Sequence, residues 1–296
     1  MKHKFTLKKC AAALLAAMTM VSALLLGGCG QKGFDFSRNI SVVVREDGSG
    51  TKTAFMEIIG LKGKADVSGA VVATGTPAVL AEVKSNPLAI AYESLGYVTD
   101  EVKMLTVGGV APTVANIKAG TYSIARPLQV VYKEDNLTDP ANAAFFAFLA
   151  SETAQKIVRD NGYVSLVDGA AEYTVTPGLS GRIDISGSTS LRPLMVLLAA
   201  KFEEIQPDVS VTVLGGGSGT GYADAENGTS DFGMISEVFS EAKAPSCKSY
   251  IVAKDGIAII VNKDNPLTDI TTDALKKIYD PDAGENAVKT WAEVSR

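Results

Sequence analysis

In the stretch Ile40-Ser41-Val42-Val43-Val44-Arg45-Glu46-Asp47-Gly48-Ser49-Gly50-Thr51 an apolar, β-branched run gives way to a glycine-bearing turn. A helical pattern follows over residues 51–59 and stops at Gly60. Strand, turn and helix in that order place free backbone N–H groups and the Ser/Thr hydroxyls at a helix N-terminus, where the dipole favours an anion. Glycine there lets the backbone approach a ligand without a Cβ in the way. The same design recurs twice. Strand 183–186 runs into Gly187-Ser188-Thr189-Ser190 and a long helix that ends near Glu204, before Pro207. Strand 209–214 runs into Gly215-Gly216-Gly217-Ser218-Gly219-Thr220-Gly221 and another helical start. One such turn alone reads better as a helix cap. Three of them, with Arg45 supplying a planar fork for a tetrahedral oxyanion, point to anion binding.

Outward from these turns, helical patterns cover 77–83, 141–149, 153–158 and 272–279. Strand patterns cover 89–92, 102–107, 128–132, 232–235, 250–253 and 257–261. Alternating β and α segments predict an α/β fold with largely parallel sheets. Residues 168–182 have no period and are rich in Gly and small polar residues, the composition of a linker.

The first 28 residues stand apart. Lys2, Lys4, Lys8 and Lys9 precede an apolar run over 11–26, the pattern of a secretory signal rather than a permanent span. Leu26-Gly27-Gly28-Cys29 resembles a bacterial lipobox, so Cys29 is the expected acylation point and 29–35 a polar tether. Export to the outer face of the bacterial cell membrane follows. The formal charge is −5, and −9 once the four signal lysines are set aside. That balance argues against a nucleic-acid partner. The only histidine is His3 and the only cysteine beyond residue 29 is Cys247. A chain without His after residue 3 has no Ser-His-Asp or Cys-His centre and no His-ligated zinc, and a lone Cys247 reads as an inert thiol. No cofactor, metal or catalytic residue is expected.

Competing motifs fail on spacing. The turn at 215–221 lacks the Lys-Ser/Thr ending of a P-loop and misses the dinucleotide fingerprint. Ser49-Gly50-Thr51-Lys52 matches Ser-x-x-Lys, but neither Ser-Asp-Asn nor Lys-Thr-Gly accompanies it. Asp264, Asp269, Asp273, Asp280 and Asp282 do not follow calcium-loop spacing.

Taken together, these motifs resemble the phosphate-binding lipoproteins of Pst-type ABC importers over nearly the whole mature chain. In that family a strand with Gly-Ser-Thr-Ser comes first. Gly-Gly-Gly-Ser-Gly-Thr-Gly, Asp-hydrophobe-Gly-Met, Asp-Gly-Ile-Ala and Trp-x-Glu-Val follow, and Arg-Glu-Asp-Gly-Ser-Gly-Thr comes only after these. Here the second set, residues 40–167, precedes the first, residues 183–294. That order resembles a circular permutation in which 168–182 joins the ancestral ends.

The resemblance implies a two-domain periplasmic-binding-protein-like fold of type II, with two crossover strands and a ligand cleft between the domains. The crossovers fall at 126–132 and 255–262. Residues 36–126 with 256–296 form one discontinuous α/β domain, and 127–255 form a continuous one. It further implies phosphate contacts from Arg45, Ser49, Gly50 and Thr51 on one wall, and from Thr189, Ser190 and Ser218 on the other. Ser236 stands where members carry Ser or Asp. Asp47, beside Arg45, is a candidate selectivity residue that would orient the guanidinium and accept a proton from hydrogen phosphate; the alternative is that it only caps the following turn. Glu237 departs from the family, whose close members often carry Arg there; either it turns away from the ligand or the preference differs. The implied protein is a monomer that is not an enzyme. It delivers inorganic phosphate to importer permease subunits from a lipid anchor on Cys29. Alternatives are a binder of sulfate, molybdate or tungstate, an acyl-transferring enzyme built on Ser49 and Lys52, and a surface-anchored sensor or scaffold.

Overall fold

A computed structural model describes residues 33–167 and 169–294. The signal 1–28 and Cys29 lie outside the described residues, and Phe36–Arg296 forms one compact unit. The elements in chain order are β1 (Ser41–Arg45), α1 (Gly50–Ile58), β2 (Val71–Ala73), α2 (Thr76–Ser85), β3 (Ala89–Ser94), β4 (Lys103–Met104), β5 (Thr106–Val107) and α3 (Val114–Lys118). They continue with β6 (Ala125–Tyr132), α4 (Pro140–Leu149), α5 (Glu152–Asp160), β7 (Gly181–Gly187), α6 (Arg192–Ile205), β8 (Val209–Val213), α7 (Ser218–Asn227) and β9 (Phe232–Ile235). The last are β10 (Lys248–Val261), β11 (Asp269–Ile270), α8 (Thr272–Tyr279) and α9 (Trp291–Val294). No helix among the described residues is long and apolar enough to cross a membrane.

The strands order as β2-β1-β3-β10-β6-β9-β7-β8, with β4 also on β10. Parallel pairs occupy the two ends: β1 with β2 and β3, and β7 with β8 and β9. Between them run β10 and β6, antiparallel to their neighbours. The first part of β10 pairs with β6 as far as Gly256, opposite Ala125, and from Ile257 onward it pairs with β3. One strand therefore serves both halves of the sheet. The sequence pattern predicts two separate strands here, at 250–253 and 257–261. Polar Lys254 and Asp255 interrupt the apolar run, yet their backbones stay paired to Pro127 and Arg126, so the strand is continuous. The expected strand 102–107 is divided instead: β4 pairs with β10, β5 with β11, and Leu105 between them is buried.

Each half has its own apolar cluster. Val43, Ala73, Val79, Val83, Ala91 and Ile260 pack together under β1–β3. Phe145, Phe148, Ile183, Leu198, Phe202 and Phe232 pack together around β6–β9. Residues 169–180 form no regular element before β7, and they are pinned. Glu152 N donates to Ala171 O at 2.9 Å, and the Tyr173 ring meets Phe148 and Phe202 edge-on. The beginning and end of the unit pair with each other: Ile40 N donates to Lys289 O at 2.8 Å and Ala292 N to Phe36 O at 2.8 Å. Cys247 is buried and free, and burial, followed by the neighbouring Glu226, pushes its thiol up to about 11.

Candidate functional site

The three glycine turns meet. β1 ends at Arg45, and Ser49 caps α1 by accepting from Lys52 N at 3.3 Å. β7 ends at Gly187, and Ser188, Thr189 and Ser190 lead to α6. α7 opens at Ser218. Gly187 has φ 126°, and a Cβ there would lie 2.3 Å from Met234 O, so both conformation and space require glycine.

Across the meeting point, Thr51 Oγ1 and Ser190 Oγ are 2.9 Å apart. Arg45 Nη2 donates to Thr189 Oγ1 at 3.1 Å, and Gly219 N donates to Gly48 O at 2.9 Å. Ser236 N donates to Ser218 Oγ at 3.0 Å, and the two hydroxyls are 3.4 Å apart. The Gly50 backbone presses against this pair. A Cβ on Gly50 would sit 2.2 Å from Ser218 Oγ and 2.8 Å from Ser236 Oγ. Arg45, Gly50, Thr51, Thr189, Ser190, Ser218 and Ser236 thus gather into one polar cluster, nearly all of it buried. The hydroxyls can donate or accept, and the helix starts add N–H groups, which is what a tetrahedral oxyanion needs. Ser49 is buried beside them, with its hydroxyl engaged in the cap.

Asp47 is placed elsewhere. Its side chain is 99% exposed and pairs with Lys52 at 2.8 Å, which lowers its carboxyl. The guanidinium of Arg45 is held instead by Glu46, with Nε at 2.9 Å from Oε2 and Nη2 at 3.0 Å from Oε1. Arg45 Nη1 donates to Thr76 Oγ1 at 3.4 Å and lies 3.6 Å from Glu93 Oε2. Burial works to lower the Arg45 guanidinium, but the Glu46 hydrogen bonds and the charges of Glu93 and Glu46 carry it upward overall. Partial burial works to raise the Glu46 carboxyl, and Arg45 outweighs it, so the net movement is down.

Glu237 is buried with its carboxylate on Lys243 Nζ at 2.6 Å, and its carbonyl accepts from Gln129 Nε2 at 2.7 Å. The Lys243 contact is made by Oε1, and Oε2 is buried without a hydrogen bond.

A second buried pair lies where β6 and β10 face each other. Arg126 Nη2 donates to Asp255 Oδ2 at 3.2 Å, and Nη1 to the carbonyl of Ser236 at 3.0 Å. Asp255 also accepts from Ser94 Oγ at 2.8 Å. Burial raises the Asp255 carboxyl although Arg126 opposes it, and burial lowers the Arg126 guanidinium. Glu46, Thr76, Glu93, Arg126 and Asp255 escape a motif-based reading. The available signals are weak: a carboxylate in the apolar run Ala89-Ile90-Ala91-Tyr92-Glu93, and an Arg or Asp beside Pro127 or Gly256.

A family model described as the PBP superfamily domain matches residues 34–153 and 174–295. The chain is 33% identical to Phosphate-binding protein PstS 2 of Streptococcus agalactiae serotype V, over 100% of this chain and 99% of that one. It is 39% identical to Phosphate-binding protein PstS of Bacillus subtilis over 119 residues, which cover 39% of this chain and 38% of that one. The crystal structure of a phosphate ABC transporter, phosphate-binding protein from Streptococcus pneumoniae TIGR4 superposes with a TM-score of 0.69 at 32% identity. It covers 86% of this chain and 99% of that one.

Proposed function

We propose, for a chain that belongs to the PBP superfamily and within it to the Pst-type phosphate-binding proteins, reversible capture of inorganic phosphate and its delivery to an ABC importer. The observation that carries this reading is the convergence of Arg45, Gly50, Thr51, Thr189, Ser190, Ser218 and Ser236 from both halves of the sheet. Hydroxyls and helix-start N–H groups replace the water around the anion, and Arg45 supplies the charge. No bond is made or broken, so the protein acts as a receptor and not as an enzyme.

The same reading divides the unit into two lobes, 36–126 with 256–296 and 127–255, that close on the anion by a hinge. Support comes from the separate apolar clusters and from β6 and β10, which alone run between the parallel halves. A permuted order accounts for a full-length match to one relative beside a match to only 119 residues of another. The pairing of Phe36 and Ile40 with Ala292 and Lys289, and the pinning of Ala171 on Glu152, fit such a rearrangement. Export with a signal over 1–28, a lipid anchor on Cys29 and a monomeric state complete the proposal. The ground for preferring another oxyanion was a carboxylate of Glu237 facing the ligand; its pairing with Lys243 through Oε1 speaks for phosphate.

Calorimetry on the full chain, stripped of bound anion and titrated with phosphate and then sulfate, tests it. Tight one-to-one phosphate binding is expected, weakened about tenfold or more in Arg45→Ala, as for loss of a charged hydrogen bond of about 1.5–3 kcal/mol. Absence of phosphate binding would refute the receptor.

A further inference from the structure

Around the cluster two buried guanidiniums, Arg45 and Arg126, face two buried carboxylates, Glu93 and Asp255, and the partly exposed Glu46. Glu46 takes Arg45 with two hydrogen bonds, and Asp255 takes Arg126. Glu93 is hydrogen-bonded to neither guanidinium, and it is fully buried. Its Oε1 accepts from Ser94 N at 2.7 Å and from Thr76 Oγ1 at 3.3 Å. Its Oε2 accepts no hydrogen bond and lies 3.6 Å from Arg45 Nη1, with the charge of Arg126 acting more weakly. Thr76 also contacts Thr189 Oγ1 at 3.4 Å, so Glu93 stands one hydroxyl behind two residues of the cluster.

Anion capture adds a further negative charge beside Arg45, which already faces Glu46 through Nε and Nη2 and Glu93 through Nη1. A buried carboxylate beside a second anion favours its neutral form, for both burial and like charge disfavour ionisation. Among the described groups facing Glu93, Arg45 comes from the end of β1 and Arg126 from β6. Asp255 on β10 reaches it through Ser94, Glu46 through Arg45, and the Tyr92 and Tyr163 hydroxyls complete the surroundings. No histidine follows residue 3, so no imidazole is present to take the proton instead.

We propose that phosphate capture is coupled to uptake of one proton from solvent onto Glu93, at the oxygen that accepts no hydrogen bond. The inference rests on the reading that the cluster holds phosphate. The accounting is simple: hydrogen phosphate enters as the dianion, one solvent proton neutralises the Glu93 carboxylate, and no bond to phosphorus changes. Burial, opposed by Arg45, holds this carboxyl above the ordinary range. Glu93 is a positioning residue by this account. It releases Arg45 to the anion only when it loses its charge.

The test is calorimetry on the full chain at about pH 8.5, above the second ionisation of phosphate, in two buffers of different ionisation enthalpy. The wild type is expected to take up about one proton per phosphate, and Glu93→Gln about none. Gln keeps the acceptor for Ser94 N and Thr76 and removes the charge. Between about pH 7.5 and 9 the wild-type Kd is expected to rise up to about tenfold per pH unit, and that of Glu93→Gln to stay level by comparison. Infrared difference spectra of the wild type with and without phosphate supply a readout independent of the variant: a protonated carboxyl band must appear on binding. No proton uptake, equal uptake in both proteins, or no carboxyl band overturns the proposal. A wild type that takes up a proton when titrated with phosphate keeps both readings, and one that does not bind phosphate at all overturns both.

Discussion

Gly50→Ala separates closure of the site from stability of the fold. Gly50 is the first residue of α1 and its φ is not in the left-handed region, so alanine fits the helix and favours it by up to about 1 kcal/mol. The added methyl, however, would lie 2.2 Å from Ser218 Oγ, 2.8 Å from Ser236 Oγ and 2.9 Å from Ser218 Cβ. Rotating the Ser218 hydroxyl clears the first contact and leaves the last, so the facing walls must themselves move apart by about half an ångström. Overpacking of this kind costs about 1–3 kcal/mol, which corresponds to a rise of about 5- to 150-fold in the phosphate Kd. The proposed opening of the two lobes would relieve the clash without ligand, so the melting temperature of the ligand-free protein is expected to stay level or rise. Calorimetry with phosphate and a thermal melt without it form the assay. A Kd within about twofold of wild type, or an equal loss in the melt and the binding, would refute the reasoning.

Three further outcomes are expected. Asp47→Asn leaves the ratio of phosphate to sulfate affinity within about twofold of wild type in competition calorimetry, because the exposed carboxylate is spent on Lys52. Tyr173→Ala lowers stability to denaturant by about 1–3 kcal/mol through the lost contacts with Phe148 and Phe202, while the phosphate Kd stays level; a shifted Kd would tie 168–182 to the cleft. The raised carboxyls of Glu93 and Asp255 contribute stability that is complete below their ordinary range and lost as pH rises through the raised values. The ligand-free protein should therefore melt higher at about pH 5.5 than at about pH 8, and Glu93→Gln should narrow the gap; the opposite order would count against both assignments.

By itself the sequence determined the α/β class, the three strand–turn–helix units and the residues that gather there. Each rests on local rules, since hydrophobic period, turn glycines and the Ser/Thr that follow them act over a few positions. The absence of histidine after residue 3 likewise settled early which catalytic centres are impossible. Only the tertiary structure decided which carboxylate holds Arg45. Glu46 and Asp47 are adjacent, and the turn sends one to the guanidinium and the other to solvent. It also decided that β10 is continuous, since pairing with β6 overrides the polar break at Lys254-Asp255. Glu93, Arg126 and Asp255 owe their roles to burial and to partners far away in sequence, such as Ser94 with Asp255 across 161 positions. A local pattern carries no trace of such a partner, because the energy of a buried charge is set by what the fold brings beside it.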